Sequence, residues 1–201
     1  MALADHTHWI FDMDGTLTVP VHDFDRLHAA LGVPRGVDLL TVLAARTPEQ
    51  RAADLQIIAA WEDEAAALAR PQEDAVALLE ALVGAGRTLG ILTRNTRGTS
   101  ARTLAAAGLE RYFVPDNIVT RDCAAPKPDP AGVALLLRRW GVAASQAVVV
   151  GDWVYDAQAG RRAGAATVLV MRHGPKPWDD EADWLVPSLW EVTATLRGAT
   201  G

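Results

Sequence analysis

Disulfides are the first thing the sequence lacks. Its single cysteine, Cys123, excludes an intrachain bridge and with it a secreted disulfide scaffold. No apolar run approaches the roughly 18 residues that a membrane-spanning helix needs, so no membrane partner is expected. Positive charge is in the minority. Nineteen Lys and Arg face 25 Asp and Glu, for a net charge of −6. An acidic surface repels phosphate polymers, which argues against long nucleic acid as a partner. Met1–His8 has no cationic stretch followed by an apolar one, so no secretory signal is read and a cytoplasmic location is expected. His6 and His8 are expected to belong to a flexible terminus and not to a metal site. Repeats and low-complexity tracts are absent. What remains is an ordinary globular composition: 201 residues, 50% hydrophobic and 22% charged. A chain of that size buries roughly 70% of its unfolded surface as one domain, or as one domain carrying an insertion.

Four apolar runs read as buried strands: His8–Phe11, Thr88–Leu92, Ala147–Val150 and Thr167–Met171. The Val, Ile and Leu runs do not alternate with polar residues, which suits parallel strands covered on both faces. Ile118–Thr120 and Trp184–Val186 are weaker candidates. Between them lie helical patterns over Asp74–Ala85, Thr99–Ala107, Pro130–Trp140 and Tyr155–Ala163, each followed by glycine. Alternating strand and helix predicts an α/β, Rossmann-like, doubly wound parallel sheet. From Thr18 to about Arg70 the rhythm breaks, and only helix signals occur, at Asp23–Leu31, at Val37–Ala45, and from the capping box Thr47-Pro48-Glu49-Gln50 to about Ala69. That stretch is too long for a simple crossover. A small all-helical cap over 19–70 is therefore expected after the first strand, on a core of 1–18 and 71–201.

The residues after the strands carry the chemistry. Asp12 and Asp14 follow the first, Thr93-Arg94-Asn95 the second, Lys127 the third, and Asp152 and Asp156 the fourth. Ends of parallel strands share one edge, where ligands bind. Carboxylates gathered in a cleft repel one another by about 4 kcal/mol per close pair, and so call for a cation. An all-oxygen set with few carboxylates suits Mg²⁺, which bridges to a substrate phosphate. Thr93 adds a hydroxyl and Lys127 a positive charge. Together they form a site for phosphoryl transfer, in which a carboxylate can be the nucleophile.

Phe11-Asp12-Met13-Asp14-Gly15-Thr16-Leu17, followed by Thr93, Lys127 and Gly151-Asp152 with Asp156, resembles the haloacid dehalogenase superfamily of hydrolases. Within it, the chain is similar to the phosphoglycolate-phosphatase-like subgroup, which carries a helical cap between the first and second motifs. The resemblance implies a division of labour. Asp12 would attack phosphorus and bind the metal. Asp14 would act as general acid and then general base, and would bind the metal through its backbone carbonyl. Asp152 would be the third protein ligand of Mg²⁺, with Asp156 supporting from behind. Thr93 and Lys127, with Arg94 and Asn95 as further candidates, would hold phosphoryl oxygens. Arg35 between the first two cap helices, Trp61 on the longest one, and Trp153 beside Asp152 are candidates for touching a small phosphorylated metabolite.

Competing motifs fail on spacing. An EF-hand would need glycine at its sixth position and glutamate at its twelfth; Gly15 is fourth and Asp23 twelfth. Gly84–Gly90 imitates a dinucleotide fingerprint, but its last glycine is one position late and it precedes a strand. Cys123 has no histidine partner to make it a nucleophile. A phosphotransferase or mutase and a catalytically silent binding protein remain the alternative functions. A dehalogenase would lack a counterpart of Asp14. The natural substrate and the oligomeric state are left open.

Overall fold

The structure, a computed structural model, describes residues 1–21, 24–172, 174 and 177–198. Six parallel strands form one sheet in the order β3-β2-β1-β4-β5-β6, with β1 His8–Phe11, β2 Thr88–Leu92, β3 Ile118–Val119, β4 Ala147–Gly151, β5 Ala166–Val170 and β6 Trp184–Val186. β1 shows why the sheet is buried on both faces. Alternate side chains of a strand point to opposite sides. Trp9 and Phe11 enter one apolar cluster, with Leu78, Leu82 and Val192. Ile10 enters the other, with Val133, Leu136 and Ala159. None of the three is exposed to solvent. Each contributes about 1.5–3 kcal/mol of burial, and no polar position between them could be accommodated.

The helices lie where the glycine-terminated patterns predict, within two residues. After α1 Phe24–Ala30, α2 Leu39–Ala45 and α3 Pro48–Ala67 in the inserted stretch come α4 Glu73–Gly84, α5 Arg97–Ala107, α6 Ala131–Trp140 and α7 Val154–Ala163. A further helix, α8 Leu189–Gly198, is absent from the sequence reading. Its signal was present in Leu189, Val192 and Leu196, spaced three and four apart. α8 is tied down from a distance. The buried carboxylate of Asp74 accepts the Leu189 N–H at 2.9 Å and both ends of the Arg172 guanidinium at 2.7 and 2.8 Å. Asp74→Ala would leave Arg172 largely buried without its counter-charge. Urea unfolding should show a loss of about 3 kcal/mol; a loss below about 1 kcal/mol would mean that the pair contributes little.

The inserted stretch holds α1 Phe24–Ala30, α2 Leu39–Ala45 and α3 Pro48–Ala67. Asp23, the expected start of the first of them, lies outside the described residues. The capping box that opens α3 is formed: Thr47 Oγ1 accepts the Gln50 N–H at 3.3 Å, and Gln50 Oε1 accepts the Thr47 N–H at 3.1 Å. Leu27, Leu31, Val33, Leu43 and Ile58 give these helices an apolar cluster of their own. The chain enters and leaves them side by side. The Val19 N–H donates to the Arg70 carbonyl, and the Gln72 N–H to that of Leu17, both at 2.9 Å.

The N-terminus departs from expectation. Leu3–Asp5 form a 3₁₀ turn, and His6 is buried, with Nδ1 3.1 Å from the Leu3 carbonyl and its ring edge-on to Trp184. His8 opens β1. The segment is docked, not flexible, because it packs against the cluster under Trp9. Among the described residues no helix is long and apolar enough to cross a membrane.

Candidate active site

β1 is flanked by β2 on one side and β4 on the other, and the chain order diverges from there. The crevice beyond the carboxyl ends of these strands is the natural binding place in such a sheet. Asp12 stands at its centre, one residue past β1, its N–H bonded to the Val150 carbonyl at 2.8 Å. The turn that follows needs glycine. Gly15 has φ +87°, and a Cβ there would lie 2.4 Å from Asp152 Oδ2. Gly151 is equally constrained, since a Cβ would come within 2.2 Å of Asp156 Cγ. Both absences of a side chain let the first and fourth strand loops close on each other.

Lys127 is buried and bridges the cluster. Its ammonium donates to Asp12 Oδ1 at 2.5 Å and to Asp156 Oδ1 at 2.6 Å. The Lys127–Pro128 peptide is cis. Asp156 also accepts the Trp153 N–H at 3.1 Å, which closes the first turn of α7. Asp152 accepts from Thr16 Oγ1 at 3.2 Å. Asn95 Nδ2 donates to Asp14 Oδ2 at 2.7 Å, and the Asn95 N–H donates to Thr93 Oγ1 at 3.2 Å. One carboxylate oxygen each of Asp12, Asp152 and Asp156 lies within 4.8 Å of the other two. The grouping therefore includes Asp156, placed behind the metal by sequence, while the side chain of Asp14 turns to Asn95.

Charge is poorly balanced here. Four carboxylates meet one ammonium. Burial, then the charge of Asp12, pushes Asp14 up to about 7. Burial, then Asp12 and Asp156, raises Asp152, and burial also raises Asp156 despite Lys127. Lys127 is raised in turn, its buried charge favoured by Asp12 and Asp156. Several carboxylates strained toward their neutral forms at one point are the donor set of a hard divalent cation. The chemistry of the residues thus fits Mg²⁺.

Above the cluster opens a cavity of about 530 Å³, walled by the strand loops and by α1–α3. Trp61 and Trp153 line it, and Trp153 also leans on Trp178 at 4.7 Å between ring centres. Arg35 is not among the lining residues; it is exposed and paired with Asp25 at 3.2 Å. Arg94 reaches Asp38 at the N-terminus of α2, 2.5 Å away. Sequence reasoning missed several polar residues of this cavity, among them His28, Asp38, Glu62 and Arg121. Glu62, buried on α3, takes Arg121 at 2.7 Å and Thr99 Oγ1 at 3.1 Å. Arg121 also donates from its side chain to the Arg94 carbonyl and from its backbone to that of Asn95, both at 3.1 Å. It thereby holds the Thr93–Asn95 loop against α3.

Comparison with known proteins agrees with this geometry. The model of the haloacid dehalogenase-like hydrolase family matches residues 8–164. The chain is 29% identical over 206 residues to a haloacid dehalogenase-like hydrolase domain-containing protein of Arabidopsis thaliana, covering 94% of this chain and 82% of that one. It is 28% identical over 198 residues to the N-acetylmuramic acid 6-phosphate phosphatase of Pseudomonas aeruginosa, covering 87% and 86%. The fold is similar to the crystal structure of a hydrolase from Pseudomonas syringae, with TM-score 0.78, 24% identity, and 96% and 99% of the two chains covered.

Proposed function

We propose that the chain, which belongs to the haloacid dehalogenase-like hydrolases, is a phosphatase of that family and hydrolyses a small phosphate monoester, with Mg²⁺ bound, through a phosphoryl group carried on Asp12. The observation that carries this reading is the buried knot in which Lys127 joins Asp12 and Asp156 beside Asp152.

Asp12, Asp152 and the backbone of Asp14 would hold the ion, with Asp156 fixing Lys127 next to them. Bound there, Mg²⁺ supplies positive charge to phosphoryl oxygens that would otherwise face carboxylates. Lys127 and the Thr93 hydroxyl hold the remaining phosphoryl oxygens. Asp12 attacks phosphorus as the leaving oxygen departs. Asp14 donates a proton to that oxygen. With its carboxyl pushed up to about 7, it can carry that proton near neutral pH and afterwards take one from water. Asn95 donates to Oδ2 of Asp14 and so orients the carboxyl that makes the transfer. Water then attacks the phosphoryl-Asp12 and releases phosphate. Residues 19–70 act as a cap that excludes bulk water and selects the leaving group.

The reading is tested by a panel of phosphate monoesters assayed with and without Mg²⁺. Phosphate release that needs the ion supports it, and no release from any member contradicts it. The ion has a second readout. Asp14, Asp152 and Asp156 are raised in the folded protein. Folded protein then keeps protons that unfolded chain has lost above about pH 4. The stability these groups contribute is complete at low pH and falls as pH rises through about 7. A cation binds their ionised forms. Urea unfolding should therefore show a larger Mg²⁺ stabilisation at pH 8 than at pH 5.5. Equal shifts at both would detach the ion from this cluster.

A further inference from the structure

The two ends of the cavity differ in chemistry. The floor is the charged cluster. The roof is mostly apolar: Leu27, Val37, Leu43, Ile58 and Trp61 line the space, with Phe24 tilted against Trp61 at 5.1 Å, and the charged side chains it adds, Asp25, Asp38 and Glu62, are acidic. Phe24 and Val37 are left substantially open to solvent, an unfavourable placement for large apolar side chains unless something covers them. Among the described residues that line the cavity, both arginines already face a carboxylate. Arg94 pairs with Asp38, which also accepts the Thr41 N–H and hydroxyl. Arg121 pairs with Glu62 at 2.7 and 3.3 Å. His28 Nδ1 is 2.9 Å from the Pro34 carbonyl. The Nε of Arg94 is buried without an acceptor, so it can serve a neutral oxygen, but Asp38 offsets its charge.

We propose that the substrate is the phosphate monoester of an uncharged, mainly apolar alcohol whose hydrocarbon part fills the roof formed by Ile58, Trp61 and Leu43, and not a carboxylate-bearing or polyhydroxylated phosphate. This rests on the phosphatase reading given above. The reaction breaks the bond from phosphorus to the alcohol oxygen and forms one to water oxygen; the alcohol leaves with a proton. A second carboxylate or a ring of hydroxyls would have to be stripped of water against hydrocarbon, and among the described residues that line the cavity Arg94 and Arg121 already face carboxylates. A hydrocarbon chain gains from the same walls.

The test is kcat/KM with Mg²⁺ for ethyl, butyl and hexyl phosphate, whose alcohols are about equally poor leaving groups, beside 2-phosphoglycolate and glucose 6-phosphate. The expected result is a rise of about fourfold per added methylene, with 2-phosphoglycolate and glucose 6-phosphate no better than ethyl phosphate. Ile58→Asp should flatten the series, and Trp61→Ala should lower the hexyl-to-ethyl ratio if the first variant does not fold. A flat series in the native enzyme, or a preference for 2-phosphoglycolate or glucose 6-phosphate, would overturn this inference while leaving the phosphatase reading standing. No turnover of any of the five would overturn both.

Discussion

Asp12→Asn should keep its fold and lose more than about 10³-fold in kcat. The amide is nearly the same size and can still accept the bond from Lys127, which in turn keeps Asp156. What disappears is the nucleophile, since an amide oxygen is far too weak to displace an alcohol from phosphorus. Loss of stability should be small, for two opposing reasons. Lys127 loses one ion partner, but Asp14 and Asp152 are each relieved of a repelling charge. Without that repulsion the Asp14 carboxyl should move down from about 7 toward its ordinary range. Circular dichroism and urea unfolding check the fold, and steady-state release of phosphate checks the rate. Turnover within tenfold of the native enzyme would remove Asp12 from the chemistry.

Lys127→Met should damage both function and fold. Methionine matches the length of the lysine stem, so packing is nearly preserved, while the ammonium shared by Asp12 and Asp156 is gone. Removing one partner of a buried pair costs about 3–5 kcal/mol, because the remaining charge stays buried and uncompensated. The sign with pH follows. Without Lys127 the carboxylates are raised further in the folded state. Their penalty is therefore small near pH 5, where they hold protons, and grows as pH rises toward 8. Urea unfolding at the two values should show the larger loss at pH 8. An equal loss at both would mean that packing, not charge, is what lysine contributes. Turnover should also fall by about 10²–10³-fold, the usual consequence of removing a preorganised group that faces developing negative charge.

Much of the fold was legible because its signals are local. The unbroken apolar runs of β1, β2 and β4 could only be buried strands, and the glycine after each of the patterns that became α4 to α7 marked where it stops. The proline and capping box at Thr47–Gln50 placed the start of α3 to the residue. The rim cluster was legible for a topological reason: in a parallel sheet, residues after successive strands must meet at one edge. Other features depend on tertiary partners. Glu62 sits in the run Trp61-Glu62-Asp63-Glu64, which reads as a solvated acidic face, and its partner Arg121 is 59 positions away. Asp38 has a readable local role, capping α2, but nothing near it announces Arg94. Arg35 read as a candidate because it lies in a cap loop; in the fold it is exposed and pairs with Asp25, which itself lines the cavity. His28 lies on α1 with no motif around it, and only the packing of α1 to α3 brings it to the cavity wall.

The central claim is that Asp12 itself receives the phosphoryl group. The most direct measurement is mass spectrometry of the Asp12-containing peptide, after acid quench of the enzyme during turnover with Mg²⁺ and a phosphate monoester that it hydrolyses. The account predicts that this peptide carries the added mass of one phosphoryl group, and that Asp14→Asn, which slows the attack of water, increases the modified fraction. An unmodified Asp12 peptide under steady turnover, or a phosphoryl group on some other residue, would contradict it.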